Sequence, residues 1–187
     1  KKASLHYKHP KEKFDKFKKK EIEEQLVILQ YSANSLNKKR NDILPKFRKD
    51  IEKKLSDLGM PYAQFEVKFK ALNHFYQYGN SSISFLFSAN KGRSLLEISK
   101  VASGGELSRL MLAIKYIAAK SEQLEVLIFD EIDNGVSGKI ASLMANMMSE
   151  ISKTTQIISV SHLPQIASKA DEHLKVLKSV VKDNTIS

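Results

Sequence analysis

Val126-Leu127-Ile128-Phe129-Asp130-Glu131 decides how this chain is read. Four apolar residues in a row are the mark of a strand buried on both faces of a parallel sheet. Two carboxylates then emerge at its C-terminal end, the edge at which open α/β sheets bind ligands. Adjacent acids on an extended chain point different ways, so they take different tasks. One suits Mg²⁺, a hard ion that takes carboxylate oxygen and keeps much of its water. The other suits polarising a water molecule for attack on a phosphoryl group. A plain strand running out to an acidic surface fits these six residues equally well.

Working outward, the segments on either side alternate between helix and strand. Leu107, Leu110, Met111, Ile114, Ile117 and Ala118 recur at helical spacing before the strand. After it, a helix over 139–152 turns Ile140, Leu143, Met144, Met147, Met148 and Ile151 inward. Ile157, Ile158 and Val160 then predict another buried strand, 163–170 a short helix, and Leu174, Val176 and Leu177 a last strand. This alternation predicts an α/β layer with a parallel sheet and flanking helices.

Two more motifs lie in this region. In Ser103-Gly104-Gly105-Glu106 the glycines allow close backbone approach, and the first-turn amides with the helix dipole present positive charge to a phosphate. The same four residues also read as a capping box, with Ser103 as N-cap and Glu106 three residues on. Ser159-Val160-Ser161-His162 ends a strand on a polar pair, and His162 reads either as a phosphate contact or as a satisfied loop histidine. His6, His9, His74 and His173 have no neighbours at metal-ligand spacing.

The first third differs in character. Ile22, Leu26, Leu29, Ala33 and Leu36 step by four and three, followed by Arg40, Ile43 and Phe47, a 3.5-residue seam that predicts a coiled-coil segment. Pro45 is expected to kink or restart the helix, with Asn41 or Asp42 capping the new start. Ile51, Leu55 and Leu58 continue an apolar face until Gly59. Phe65, Val67 and Phe69 alternate with polar residues, as do Ile83, Phe85 and Phe87 after a Gly79-Asn80 turn signal, predicting two strands. The expected organisation is a helical arm over 1–58 and an α/β lobe over 59–187.

Of the 187 residues, 31 are Lys or Arg and 21 Asp or Glu, a net charge of +10. Residues 1–54 hold 17 of the basic and 8 of the acidic ones, so nearly all the excess sits on the arm. A Lys-rich arm fits a polyanion such as DNA or, more simply, a solvated coiled-coil face; Tyr7, Phe14 and Phe17 are the aromatics interleaved with its first lysine cluster. No apolar run is long enough to cross a membrane, Lys1–Lys20 is too polar for a signal-peptide core, and the absence of Cys excludes disulfides and thiolate metal sites.

Taken in order, Val101-Ala102-Ser103-Gly104-Gly105-Glu106-Leu107-Ser108-Arg109, Phe129-Asp130-Glu131-Ile132-Asp133 and Ser161-His162-Leu163-Pro164-Gln165-Ile166-Ala167 resemble the C-terminal half of the ABC-type ATPase head of SMC-like proteins. Within that family they resemble members acting in bacterial DNA repair, as do Leu58-Gly59-Met60-Pro61 and Phe85-Leu86-Phe87-Ser88-Ala89-Asn90-Lys91-Gly92. On this resemblance Ser103–Glu106 is the signature motif, Val126–Glu131 a Walker B, Asp133–Gly138 the D-loop and His162 the switch histidine.

The resemblance implies two heads sandwiching two ATP molecules, a homodimer formed through the ATPase heads. Ser103 and the Gly104 and Gly105 amides would meet the γ-phosphate held by the other head. Asp130 would help hold Mg²⁺, Glu131 would orient or deprotonate the attacking water, His162 would sense the γ-phosphate, and Asp133 would help link the two sites. It further implies a cytoplasmic, nucleoid-associated bacterial protein in DNA double-strand break repair and recombination. The chain departs from the pattern at one point: no Gly-x-x-x-x-Gly-Lys-Ser/Thr occurs, and the only Gly-Lys is Gly138-Lys139. The expectation is therefore a fragment that needs the N-terminal half of the head and is inactive alone. The alternatives are an ABC transporter subunit, disfavoured by Glu106 where transporters carry Gln, and a non-catalytic coiled-coil scaffold.

Overall fold

The computed structural model describes residues 8–176, 179–181 and 184–186. His6, Tyr7 and Leu177, read above from sequence, lie outside the described residues. The elements are α1 (Lys8–Asp57), β1 (Gln64–Tyr76), β2 (Gly79–Ser88), β3 (Leu96–Glu97), α2 (Gly104–Glu122), β4 (Val126–Asp130), α3 (Gly138–Ile151), β5 (Gln156–Val160), α4 (Pro164–Ala167), β6 (Ser179–Val181) and β7 (Asn184–Ile186). Among the described residues no helix is long and apolar enough to cross a membrane.

The chain divides into two compact units. One gathers the helix up to Phe47 with Val67–Ser84 of the β1–β2 hairpin; the other gathers Arg48–Glu66 with everything from Phe85 onward.

In the first unit, α1 runs on through Pro45 instead of restarting there. Proline forfeits one backbone hydrogen bond, and the bonds of the flanking turns carry the helix across. The seam read from the sequence is largely open: Ile22, Leu26, Leu29 and Ile43 are exposed and Ala33 is buried. Its polar neighbours hold the hairpin instead. Asn37 Nδ2 donates to Asn80 Oδ1 at 3.0 Å, Ser81 Oγ donates to Asn37 Oδ1 at 2.8 Å, and Arg40 Nη1 donates to the Tyr78 carbonyl at 3.0 Å. The reversal between β1 and β2 falls on Gln77-Tyr78, one step before the Gly79-Asn80 signal, and Gly79 opens β2 at φ +102°.

In the second unit β4 and β5 pair in parallel from Val126↔Gln156 to Asp130↔Val160, as a strand–helix–strand crossover requires. Helix α3 covers one face with Ala141, Met144, Ala145, Met147, Met148 and Ile151, all buried. Each fully buried Met or Ile of that kind contributes about 1.5–3 kcal/mol. Leu127 and Phe129 point into this core, at 6% and 5% exposure. The expectation of burial on both faces is not met, because Val126, Ile128, Ile158 and Val160 look outward at 45–70% exposure. Helix α2 buries Leu110, Leu112, Ala113, Tyr116 and Ala119, a row rotated from the one expected, and leaves Met111 exposed. The short helix expected over 163–170 is one turn, α4. Leu174 and Val176 are exposed and outside any strand.

Candidate functional site

The ends of β4 and β5 set the site. Asp130 pairs with Val160, and the Glu131 amide donates to the Val160 carbonyl at 3.1 Å, so both strands finish level. Asp130-Glu131 and Ser161-His162 therefore leave the sheet at one carboxyl edge. The backbone is not extended at Glu131: φ is +49°, a left-handed turn that few side chains other than glycine adopt. That turn, rather than strand alternation, separates the two carboxylates. Both residues are exposed.

Residues 131–136 form consecutive turns, with the Asn134 amide on the Glu131 carbonyl at 3.0 Å and the Val136 amide on the Asp133 carbonyl at 3.2 Å. They bury Asp133 completely, at 0% exposure. Ser161 Oγ donates to Asp133 Oδ2 at 2.5 Å and itself accepts from the Leu163 amide at 3.1 Å. The same carboxylate oxygen lies 3.7 Å from His162 Nδ1, while the imidazole is 71% exposed. Asp133 thus holds the histidine-bearing segment from below and leaves the ring open to solvent.

At the start of α2, Ser103 is the N-cap and accepts from the Glu106 amide at 3.3 Å. The capping reading and the phosphate reading are compatible, since a hydroxyl that accepts one bond keeps its own proton to donate. The two glycines differ. Gly104 has open space where a side chain would begin, whereas a Cβ on Gly105 would sit 2.4 Å from the Gly135 carbonyl oxygen. Ser108 Oγ adds a long bond of 3.5 Å to the Asn134 carbonyl. The α2 start and the 131–136 turns are therefore packed backbone to backbone.

The structure thus brings Asp130, Glu131, Asp133 and His162 to one edge and packs Ser103–Glu106 against the turns that carry them. Sequence reasoning gave no role to Ser161 or Arg109, and saw Gly135 only as part of the D-loop. Arg109 Nε donates to the Gly105 carbonyl at 3.0 Å and Nη1 to the Leu58 carbonyl at 3.3 Å, tying the first turn of α2 to the end of the arm. Burial lowers its pKa, against the opposing pull of Glu106. The one sequence signal for Ser161 was its place beside His162 after a strand. Asp130 and Glu131 are hard oxygen donors at an open edge, a donor set that fits Mg²⁺ shared with water and phosphate.

A parallel α/β unit with these features at one edge, preceded in the chain by a long helix, has the fold of solved SMC head domains. The solved Smc head with coiled coil and joint from Pyrococcus yayanosii matches it with a TM-score of 0.59 at 18% identity, over 89% of this chain and 30% of that one. The Smc head with an extended coiled coil from Pyrococcus furiosus, solved with the C-terminal domain of ScpA, matches with a TM-score of 0.59 at 21% identity, over 89% and 39%.

By sequence the chain is a relative of DNA repair protein RecN. It is 37% identical to RecN of Halalkalibacterium halodurans over 86% of this chain and 29% of that protein, and 34% identical to RecN of Bacillus subtilis over 89% and 32%. The Vibrio cholerae protein is 37% identical over 82% and 28%. The chain thus spans about a third of the length of these relatives. No family model matches it.

Proposed function

We propose that this chain is the C-terminal half of an SMC-like ATPase head working in DNA double-strand break repair. ATP would be bound and hydrolysed between two heads, and the engaged heads would grip or bridge DNA. The single observation that carries this reading is the shared edge of β4 and β5, where Asp130, Glu131 and His162 gather above the buried Asp133.

In the assembled head Asp130 would hold Mg²⁺, which supplies charge neutralisation on the phosphates. Glu131 orients the attacking water or takes its proton, and His162 contacts the γ-phosphate from the neighbouring strand end. Ser103 and the Gly104 and Gly105 amides present a capped helix start to the nucleotide of the opposite head. Residues 133–138, packed on Gly105, couple that helix start to the carboxylate edge. The chemistry asked of the protein is positioning and charge stabilisation.

The phosphate loop would come from the N-terminal half. That partner would cover the open apolar face of Val126, Ile128, Ile158 and Val160, with Ile128 70% exposed, a face of the kind that soluble domains cover. The test is to titrate this chain with the N-terminal half and follow a fluorescent ATP analogue. Binding by the mixture and not by the chain alone supports the reading; tight binding by the chain alone contradicts it.

A further inference from the structure

The β1–β2 hairpin carries a surface that the nucleotide chemistry does not use. Residues 67–84 hold Lys68, Lys70 and His74 and no Asp or Glu, and residues 25–41 of α1 hold Lys38, Lys39 and Arg40 and again no acid. Side chains alternate across a strand, so Lys68, Lys70, Leu72, His74 and Tyr76 share one face of β1. The His74 and Tyr76 rings meet edge to face with centroids 4.4 Å apart, as residues on a common face do. On this face Lys68, Lys70, His74 and Tyr76 are exposed and Leu72 is half-buried; on the other, Val67, Phe69 and Phe75 are half-buried and Ala71 and Asn73 exposed. Tyr76 is 61% and Tyr78, in the reversal, 72% exposed. The bonds from Asn37 and Arg40 fix this reversal against the helix.

We infer that this face binds single-stranded nucleic acid, with Tyr76, Tyr78 and His74 as base-stacking platforms and Lys68 and Lys70 along the phosphates. Aromatic rings on a sheet surface flanked by basic side chains take unstacked bases with little regard to sequence. A duplex keeps its bases stacked inside and would engage the lysines alone. The inference rests on the DNA reading above but on none of its nucleotide residues. It also moves the DNA contact from the arm, where the sequence offers few aromatics, to a hairpin that folding brings alongside it.

The test is fluorescence anisotropy of this chain with a labelled 20-mer of dT and a 20-bp duplex at two salt concentrations. Tyr76→Ala/Tyr78→Ala, whose side chains are exposed and whose fold is checked by circular dichroism, is expected to weaken dT binding about tenfold or more with the salt slope kept. Lys68→Ala/Lys70→Ala is expected to lower that slope by about 1.4. Unchanged dT affinity in the tyrosine variant overturns the inference, as does preference for the duplex or equal competition by polyglutamate, which would mark an acidic protein partner. No dT binding by the chain overturns it too. The same variants in the complex with the N-terminal half separate the two ideas: DNA binding there that ignores Tyr76 and Tyr78 overturns only this inference, and none at all overturns both.

Discussion

Gly105→Ala is expected to loosen the site at its tightest point. The added Cβ would lie 2.4 Å from the Gly135 carbonyl oxygen, 3.1 Å from the Gly135 carbonyl carbon and 3.3 Å from Val136 Cγ1. Two of these three obstacles are backbone, so no side-chain rotation relieves them, and the 131–136 turns must move outward. Overpacking of this kind costs roughly 1–3 kcal/mol. Alanine's helix preference over glycine recovers up to about 1 kcal/mol, less in a first turn. The expected net loss is about 1–2 kcal/mol, a fall of about 0.5–1 M in the urea midpoint for slopes typical of small proteins. Gly104→Ala, with nothing within 4 Å of its Cβ, is the control and should stay within about 0.5 kcal/mol of the parent. Urea unfolding followed by circular dichroism measures both. Equal stability of the parent and Gly105→Ala would refute the backbone contact, and a matching loss in Gly104→Ala would show that any change at the helix start is harmful.

Three further outcomes are expected. Ser161→Ala removes the hydroxyl that bonds the fully buried Asp133, and leaving that carboxylate short of a partner should cost about 1–3 kcal/mol in thermal unfolding; an unchanged melting temperature would count against the contact. Asn37→Ala loses bonds to Asn80 and Ser81, so amide exchange over 79–82 should speed up while the α3 amides stay protected. Tyr116 donates to Glu150 and lies beneath Lys54 and Lys120, and that hydrogen bond, with Lys120 and Lys54 beside it, lowers the Glu150 pKa. A carboxylate depressed in the fold contributes stability above its unfolded pKa and loses it as pH falls through the folded one. Tyr116→Phe should therefore flatten the acid side of the stability curve relative to the parent; an identical acid slope would remove Glu150 from that role.

The α/β lobe was legible because its signals are local. Val126–Glu131 predicts a strand ending in acids, and the 139–152 periodicity predicts α3 to within a residue. The open face of that strand was not legible, because four apolar residues read the same whether their second cover lies in this chain or elsewhere. Long-range polar pairing was equally silent. Nothing in the sequence joins Asp133 to Ser161 across 28 positions, or Asn37 to Ser81 across 44, since hydrogen bonds leave no periodic trace. Pro45 misled in the other direction: its local cost is real, yet a helix of 50 residues has enough remaining bonds to absorb it. The glycines of the 103–106 segment were noticed for a ligand, while one of them serves the packing onto Gly135.

The central claim is that the β4–β5 edge is one half of an ATPase site, and turnover in the reconstituted head tests it most directly. This chain and the N-terminal half would be mixed, with and without DNA, and phosphate release compared with that of the Glu131→Gln mixture and of each half alone. The expected result is DNA-stimulated hydrolysis by the mixture only, lost in Glu131→Gln while nucleotide binding persists. Hydrolysis by this chain alone that disappears in Glu131→Gln, or undiminished turnover by the Glu131→Gln mixture, would contradict it.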